Sequence, residues 1–555
     1  MANNWEALAA RKRQDLLNSI PEEWRIPRDL LPPESQEDAT DFPKTSGWFT
    51  QEELDITELT ALELLPKLAS GELKSEAVTR AFCKRAAAAH QLTNCLSETC
   101  FERAISSAKS LDEHLARTGK PFGPLHGLPI SLKDNFNLLG LDSTVGFTSH
   151  IGDPAKYDAV LADVLRAAGA VFYVKTNVPT AMMIAESVNN TFGRTVNPLN
   201  RKLTSGGSSG GESALIAFKG SPLGVGTDIG GSLRIPAACT GLFTLRPSFG
   251  RFPTLRCRSG MPGQEAVHSV NGPLTRTLAD LEAYSKIVVD SEPWLIDPRC
   301  LPIPWRSVSL PRKLKIAVLW DDGMALPTPP VARALKTVAQ KLKDAGHEVC
   351  DWSSVDQPEG ASLLSRMFVA DGGEAIRREL ERTGEPWRPE MKMYEDAKSL
   401  TGFEYWQLHL ERQAYQKRYL DRWLAAGIDA ILCPTTPYSS VENGKFKHVG
   451  YTGVYNVLDY SCISFPTGLT VERSVDRPLG DDYQPMTDVD KQIQKEYNAD
   501  AVHDEAPSTA LWHTSSPVAI SRATPSTTAA FLDVCTFEGL LQDALGLCSN
   551  GDRGK

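Results

Sequence analysis

The sequence predicts an α/β protein, and three observations carry that reading. In YDAVLADVLRAAGAVFYVKTN, Val160, Leu161, Val164, Leu165 and Ala168 share one helical face, Gly169 stops the helix, and Val171–Val174 reads as a strand. LKIAVLW, from Leu314 to Trp320, is a continuous apolar run and hence a buried strand. It is followed by PPVARALKTVAQKLKDAGHEV, an amphipathic helix with Pro330 near its first turn and Gly346 at its stop. The third observation is scale: 555 residues with 41% apolar and 23% charged side chains are enough for one large core. Strand–helix alternation of this kind argues for a largely parallel or mixed sheet covered by helices.

The remaining elements follow in chain order. Residues 1–55 read as an arm: a helix over Trp5–Ser19, then the Pro-rich tract IPRDLLPPESQ, wrapping over the body. Thr60 and Glu63 form a T-x-x-E capping box, and a second helix starts at Ser75. In GPLHGLPISLKDNFNL, Leu128–Leu132 reads as a short buried strand with Lys133 just beyond it. ESALIAFKG fits a short helix, LGVGTDIGG a short strand entering a sharp bend, and SLRIPAACTG a helix start. Residues 474–507 look acidic and loop-like, and the Ser/Thr-rich STALWHTSSPVAISRATPSTTAAF signals no element strongly.

Composition excludes several functions. A formal net charge of −10 with no basic run argues against a nucleic-acid partner. The N-terminal MANNWEALAARKRQDLL lacks the apolar core of a secretory signal, and no stretch approaches a membrane span. The 11 cysteines form no CxxC pair, and their odd number cannot pair completely; free thiols in a reducing cytoplasm are the expectation. The 10 histidines form no HExxH cluster, so neither a metal nor a cofactor is expected.

The chemistry concentrates in GGSSGGESALIAFKGSPLGVGTDIGGSLRIP, from Gly206 to Pro236. A flexible linker does not flank helix and strand patterns this tightly. A phosphate loop fails on detail, because GxxxxGK[ST] is absent and Ile229 stands where GxGxxG needs its third glycine. GxSxG occurs around Ser208, but the preceding NRKLTS is too polar for the strand of a nucleophile elbow. What remains is a serine beside a bend of backbone amides: Ile229, Gly230, Gly231 and Ser232 can aim N–H groups at one point, as an acyl-transfer oxyanion requires. The serine needs a base. His126 reads as a loop histidine. Lys133, at the end of an apolar run, would lose its charge readily if buried, although the plainer local reading is a surface lysine paired with Asp134.

The whole segment, through Asp228 and the Arg234–Pro236 tail, resembles the amidase signature family, and LPISLKDN resembles that family's lysine motif. KTNVPTAMMIAESVNNTFGRTVNP, GLFTLRPSFGRF, GPLTRTLADLE, CPTTPYSS and YTGVYNVLDYSCISFP look like further family segments in the right order, so the resemblance covers roughly Leu59 to Phe465. NWEALAARKRQDLLNSIPEEW and VPTAMMIAESVNN are most similar to the fungal acetamidase-like branch.

The resemblance implies a single α/β/α domain around a large, twisted mixed sheet, spanning 56–505 with its signature core at 120–280. The strand and helix of Leu314–Gly346 then belong to the same sheet. It implies a hydrolase cleaving small aliphatic or aryl carboxylic amides through a Ser–cisSer–Lys triad. Ser232 falls on the nucleophile, Ser208 (after a cis peptide bond) on the bridging serine and Lys133 on the base. Ile229, Gly230, Gly231 and Ser232 fall on the oxyanion hole, and Ser209, Asp228 and Arg234 on supporting positions. Met182 falls on the acyl pocket, where a plain core methionine is an equal alternative. Family members are often dimers, so the resemblance allows a homodimer, while the sequence leaves the oligomeric state open. Two other readings stand beside the hydrolase: a catalytically impaired scaffold member, and the amidase subunit of a tRNA-dependent transamidase.

The chain departs from the family pattern in two places. Ser461 stands where the family tends to have proline. After about His503, VHDEAPSTALWHTSSPVAISRATPS shares little beyond EAP with the usual HGAPVGLQLVGR, so 506–555 is set apart as a divergent tail. A strand missing there would leave apolar sheet surface exposed.

Overall fold

The computed structural model describes residues 4–306, 313–472, 474–480, 482–500 and the strand at 517–522. In chain order the strands are β1 (Leu96–Thr99), β2 (Pro129–Lys133), β3 (Val171–Thr176), β4 (Val188–Asn189), β5 (Gly193–Arg194), β6 (Leu223–Asp228) and β7 (Phe243–Arg246). They continue with β8 (Val270–Thr275), β9 (Lys315–Val318), β10 (Glu348–Asp351), β11 (Ala430–Pro434), β12 (Ser461–Pro466) and β13 (Pro517–Arg522). Eleven of them form one sheet in the order β1-β3-β2-β6-β8-β7-β12-β13-β11-β9-β10, and β4 and β5 form a separate hairpin. The sheet is mixed: β2 runs parallel to β3 and β6, and β9 to β10 and β11, whereas β6–β8, β7–β12 and β12–β13 are antiparallel. β9 thus lies in the one sheet, as expected for Leu314–Gly346.

Successive strand residues face opposite sides of a sheet, and both sides here are covered. Ile316, Val318, Leu432, Ile463 and Phe465 join one buried cluster with the helices Ser75–Thr93, Leu278–Asp290 and Pro329–Asp344. Their strand neighbours Ala317, Leu319, Ile431, Cys433 and Cys462 join a second, with the helices Gln357–Phe368, Gly402–Ala426 and Gly450–Leu458. These two clusters are the two helical layers of an α/β/α fold. The N-terminal arm adds Ile20, Trp24, Ile26, Phe42 and Phe49 to the first cluster. Its helix Trp5–Asn18 is pinned where Lys12 reaches Glu98 and, at 2.7 Å, Asp142. The Thr60–Glu63 capping box is formed.

Two segments differ from the sequence expectation. Residues 474–507 were expected to loop, yet Asp488–Asp500 is a helix. The Asp490 amide donates to Thr487 Oγ1 (3.1 Å), and Ile493 is buried with Ala325, Tyr438 and Val441. Acidic neighbours obscured Ile493, the helix's one fully buried apolar side chain among the described residues. In the tail, PVAISR forms β13 between β12 and β11, pairing Ile520 with both Ile463 and Leu432. Proline at the first position of a strand is tolerated there, and the surrounding serines and threonines obscured the short apolar run. The rest of 506–555, and His503, lie outside the described residues. No helix among the described residues is long and apolar enough to cross a membrane.

Candidate active site

Parallel strands bring their C-terminal ends together, and in open α/β sheets ligands bind outside those ends. β2 and β6 are parallel neighbours, with Leu132 opposite Val225. Lys133, the last residue of β2 rather than the first beyond it, therefore lies beside Thr227 at the end of β6. Its Nζ donates to Thr227 Oγ1 (2.8 Å), and Ser208 Oγ is 2.7 Å away. Lys133 is fully buried, which overturns the surface reading. Asp134 instead accepts from Ser97 Oγ (2.7 Å), Thr144 Oγ1 (3.2 Å) and the Val145 amide (2.6 Å). Burial pushes the Lys133 ammonium down to about 7, against the pull of Asp228, Glu212 and Asp134. Glu212, bonded by Ser131 and Thr176, is raised by the same burial to about 8. Both groups are driven toward their neutral forms.

The Gly207–Ser208 peptide bond is cis. A Cβ on Gly207 would lie 2.6 Å from the Glu186 nitrogen, so only glycine fits before this serine. The Ser209 amide donates to the Ser232 carbonyl (3.2 Å), holding the two serine segments side by side. Ser209 Oγ donates to the Thr227 carbonyl (3.3 Å). No hydrogen bond joins Ser208 to Ser232; Ser232 is half-buried and borders the cavity. His126, in the loop before β2, accepts the Phe122 amide at Nδ1 (3.0 Å).

The bend after β6 differs from expectation at one residue. The Gly231 amide, expected to face an oxyanion, donates to Asp228 Oδ1 (2.8 Å). Gly231 has φ +133° and its missing Cβ would strike Thr452, so glycine is required for the turn rather than for an outward N–H. The amides of Ile229, Gly230 and Ser232 donate to no group among the described residues.

Asp228 and Arg234 brace this bend from below. Arg234 Nε and Nη2 each lie 3.0 Å from an Asp228 oxygen, and Arg234 also bonds the Thr452 carbonyl (3.0 Å) and Asn456 Oδ1 (2.6 Å). Burial alone would raise the Asp228 carboxyl, but Arg234, Arg246 and the Asn456 amide outweigh it and hold it well below the usual carboxylate range. Thr227, Thr452 and Asn456 were missed by the sequence reading. Thr452 and Asn456 come from YTGVYNVL, more than two hundred positions away, and nothing local marks them. Removing one partner of a buried ion pair strands the other. Arg234→Met is therefore expected to destabilise the fold by about 3–5 kcal/mol in urea titration; a loss below about 1 kcal/mol would contradict a buried, bonded pair.

Two spaces meet at Ser232. The larger, about 700 Å³, is lined by Met182, Ile184, Leu364, Phe368 and Phe446 and includes Gly230. The smaller, about 150 Å³, includes Ser208, Thr227 and Asn135. Met182 borders both, and its φ of +59° follows one of +57° at Ala181, an unusual pair outside glycine. Among the described residues no cluster of histidines, cysteines and carboxylates could hold a metal ion.

The fold is an α/β/α sheet with a fully buried lysine beside Ser208 at the ends of two parallel strands. A family model described as Amidase matches residues 77–487, and the chain belongs to that family. It is 42% identical over 519 residues to an acetamidase of Emericella nidulans, covering 91% of this chain and 94% of that one. It is 40% identical over 516 residues to an acetamidase of Aspergillus oryzae, covering 90% and 94%. The solved structure of a fatty acid amide hydrolase superposes with a TM-score of 0.89 at 33% identity, covering 98% of this chain and 95% of that one. The protein is an amide hydrolase.

Proposed function

We propose that this enzyme cleaves the C–N bond of carboxylic amides bearing aliphatic or aryl acyl groups, through a serine acyl-enzyme. The observation that carries the reading is the fully buried Lys133 with its Nζ 2.7 Å from Ser208 Oγ. Neutral Lys133 has two N–H groups and one lone pair. Thr227 Oγ1 (2.8 Å) and the Thr227 carbonyl (3.5 Å) accept the first two, which leaves the lone pair for the Ser208 proton. Ser208 in turn takes the proton of Ser232 once the Ser232 side chain rotates toward it. Ser232 Oγ attacks the carbonyl carbon, and the free amides of Ile229, Gly230 and Ser232 receive the oxyanion. The relay then returns the proton to the departing nitrogen. Water attacks the acyl-enzyme by the same relay, releasing the carboxylic acid and restoring Ser232.

The relatives' names point to acetamide, while the space on the Gly230 side exceeds an acetyl group and is lined by Met182, Ile184 and Phe368. Acyl groups longer than acetyl are therefore within scope. Ammonia release from acetamide, butyramide, hexanamide and benzamide tests this. We expect kcat/KM to rise by about fourfold per added methylene, from the free energy of burying one CH₂. Failure to hydrolyse any of the four contradicts the reading. The scaffold alternative is disfavoured by the assembled Lys133–Ser208 contact, and the transamidase alternative by the net charge of −10. The nine described cysteines are free thiols, which suits a cytoplasmic location.

A further inference from the structure

We propose that the side-chain amide of Asn135 receives the departing nitrogen of the substrate, in a subsite on the Ser208 side of Ser232 sized for ammonia or a small amine. This rests on the acyl-enzyme reading above and assigns the two spaces at Ser232 to the two halves of the substrate.

The assignment follows from the proton. The departing nitrogen must be protonated by the relay, and Ser208 is the relay's donor to it. Ser208 and Thr227 border the 150 Å³ space and not the larger one, whereas Gly230 borders the larger one. The nitrogen therefore leaves on the small side, and the acyl chain lies on the large side. A water in liquid occupies about 30 Å³, so the small space admits a few waters or a short amine and no long chain.

Asn135 is two residues beyond Lys133, past the end of β2, and borders this space. It is 3% exposed, and its Oδ1 is buried with no hydrogen-bond partner among the described residues. Buried polar groups are normally bonded, and an exception calls for a partner from outside the chain. Several of its polar neighbours are committed: Ser208 and Thr227 to Lys133, Arg258 to Asp153 and the Ser143 carbonyl, and Asn271 to the Pro253 carbonyl; Thr254 Oγ1, which borders the same space, also lacks a partner among the described residues. The amide nitrogen of a substrate carries the N–H that an uncommitted Asn135 oxygen accepts. An ester of the same acyl group offers no such donor.

The test holds the acyl group constant at hexanoyl and varies the leaving group. For Asn135→Leu we expect kcat/KM on hexanamide to fall about 10- to 100-fold while the methyl ester stays within about threefold of the native enzyme. For the native enzyme, hexananilide should be cleaved at least about 10-fold more slowly than hexanamide. Should Asn135→Leu fail to fold, the native leaving-group series decides alone. Equal losses on amide and ester, no loss on either, or an anilide cleaved as fast as the primary amide would each overturn the proposal. Failure of the acyl-enzyme reading looks different: the native enzyme would then be inert toward amide and ester alike.

Discussion

Ser232→Ala is expected to lower kcat on a good amide substrate by about 10⁴-fold or more. The half-buried Ser232 Oγ lies where the 700 Å³ and 150 Å³ spaces meet, with the unpaired amides of its own bend beside it. Removing one oxygen leaves the cavity, the unpaired amides and the Lys133–Ser208 pair in place, so substrate affinity should change little. The loss should therefore appear in kcat, with KM within a few-fold of native. Mass spectrometry adds an independent readout. A slowly deacylating ester should add its acyl mass to the native chain on the peptide holding Ser232, and add nothing to the variant. Full activity in Ser232→Ala, or acylation on another residue, would remove this serine from the mechanism.

The second large effect concerns Lys133→Met, and it has opposite signs for activity and stability. Methionine is unbranched and one atom shorter, so it fills most of the space while removing the amine. Activity should fall by about 10²–10⁴-fold, the usual contribution of general base catalysis. Stability should rise. Burial lowers the Lys133 pKa from 10.5 in the ordinary case to about 7, so between those values the unfolded chain holds a proton that the folded one has released. Native stability must then increase with pH across that window, by about 1.4 kcal/mol per unit at most. Below pH 7 the native protein carries the full penalty of a buried ammonium. Lys133→Met should accordingly be more stable by about 3–5 kcal/mol at pH 6, and its advantage should shrink as pH rises toward 10. Urea midpoints at pH 6 and pH 9 check both parts; a destabilised variant at pH 6 would mean that the native site gains from the charge.

Much of the fold could be read from the chain, because its signals are local. The helix–Gly169–strand unit and the Leu314–Trp320 run have periodicities that a window of residues reveals, and β3 and β9 lie where they point. The site was legible only in part. Lys133 in isolation looks like a surface lysine, since its partners are 75 and 94 positions away and the strand pairing that unites them has no local trace. The family resemblance supplied that juxtaposition. It did not foresee that the Gly231 amide would turn back to Asp228, because the direction of one N–H depends on a carboxylate fixed by Arg234 and Asn456. β13 was hidden for another reason: six residues in a Ser/Thr-rich tail become a strand only because β12 and β11 leave a slot between them.

The central claim is that an uncharged, buried Lys133 drives the reaction, and the pH dependence of kcat/KM measures it most directly, since that ratio reports the free enzyme. The account predicts an acid limb that rises through an apparent pKa of about 7 in the native enzyme and is absent from the residual activity of Lys133→Met. A native profile that stays flat down to about pH 5 would contradict it.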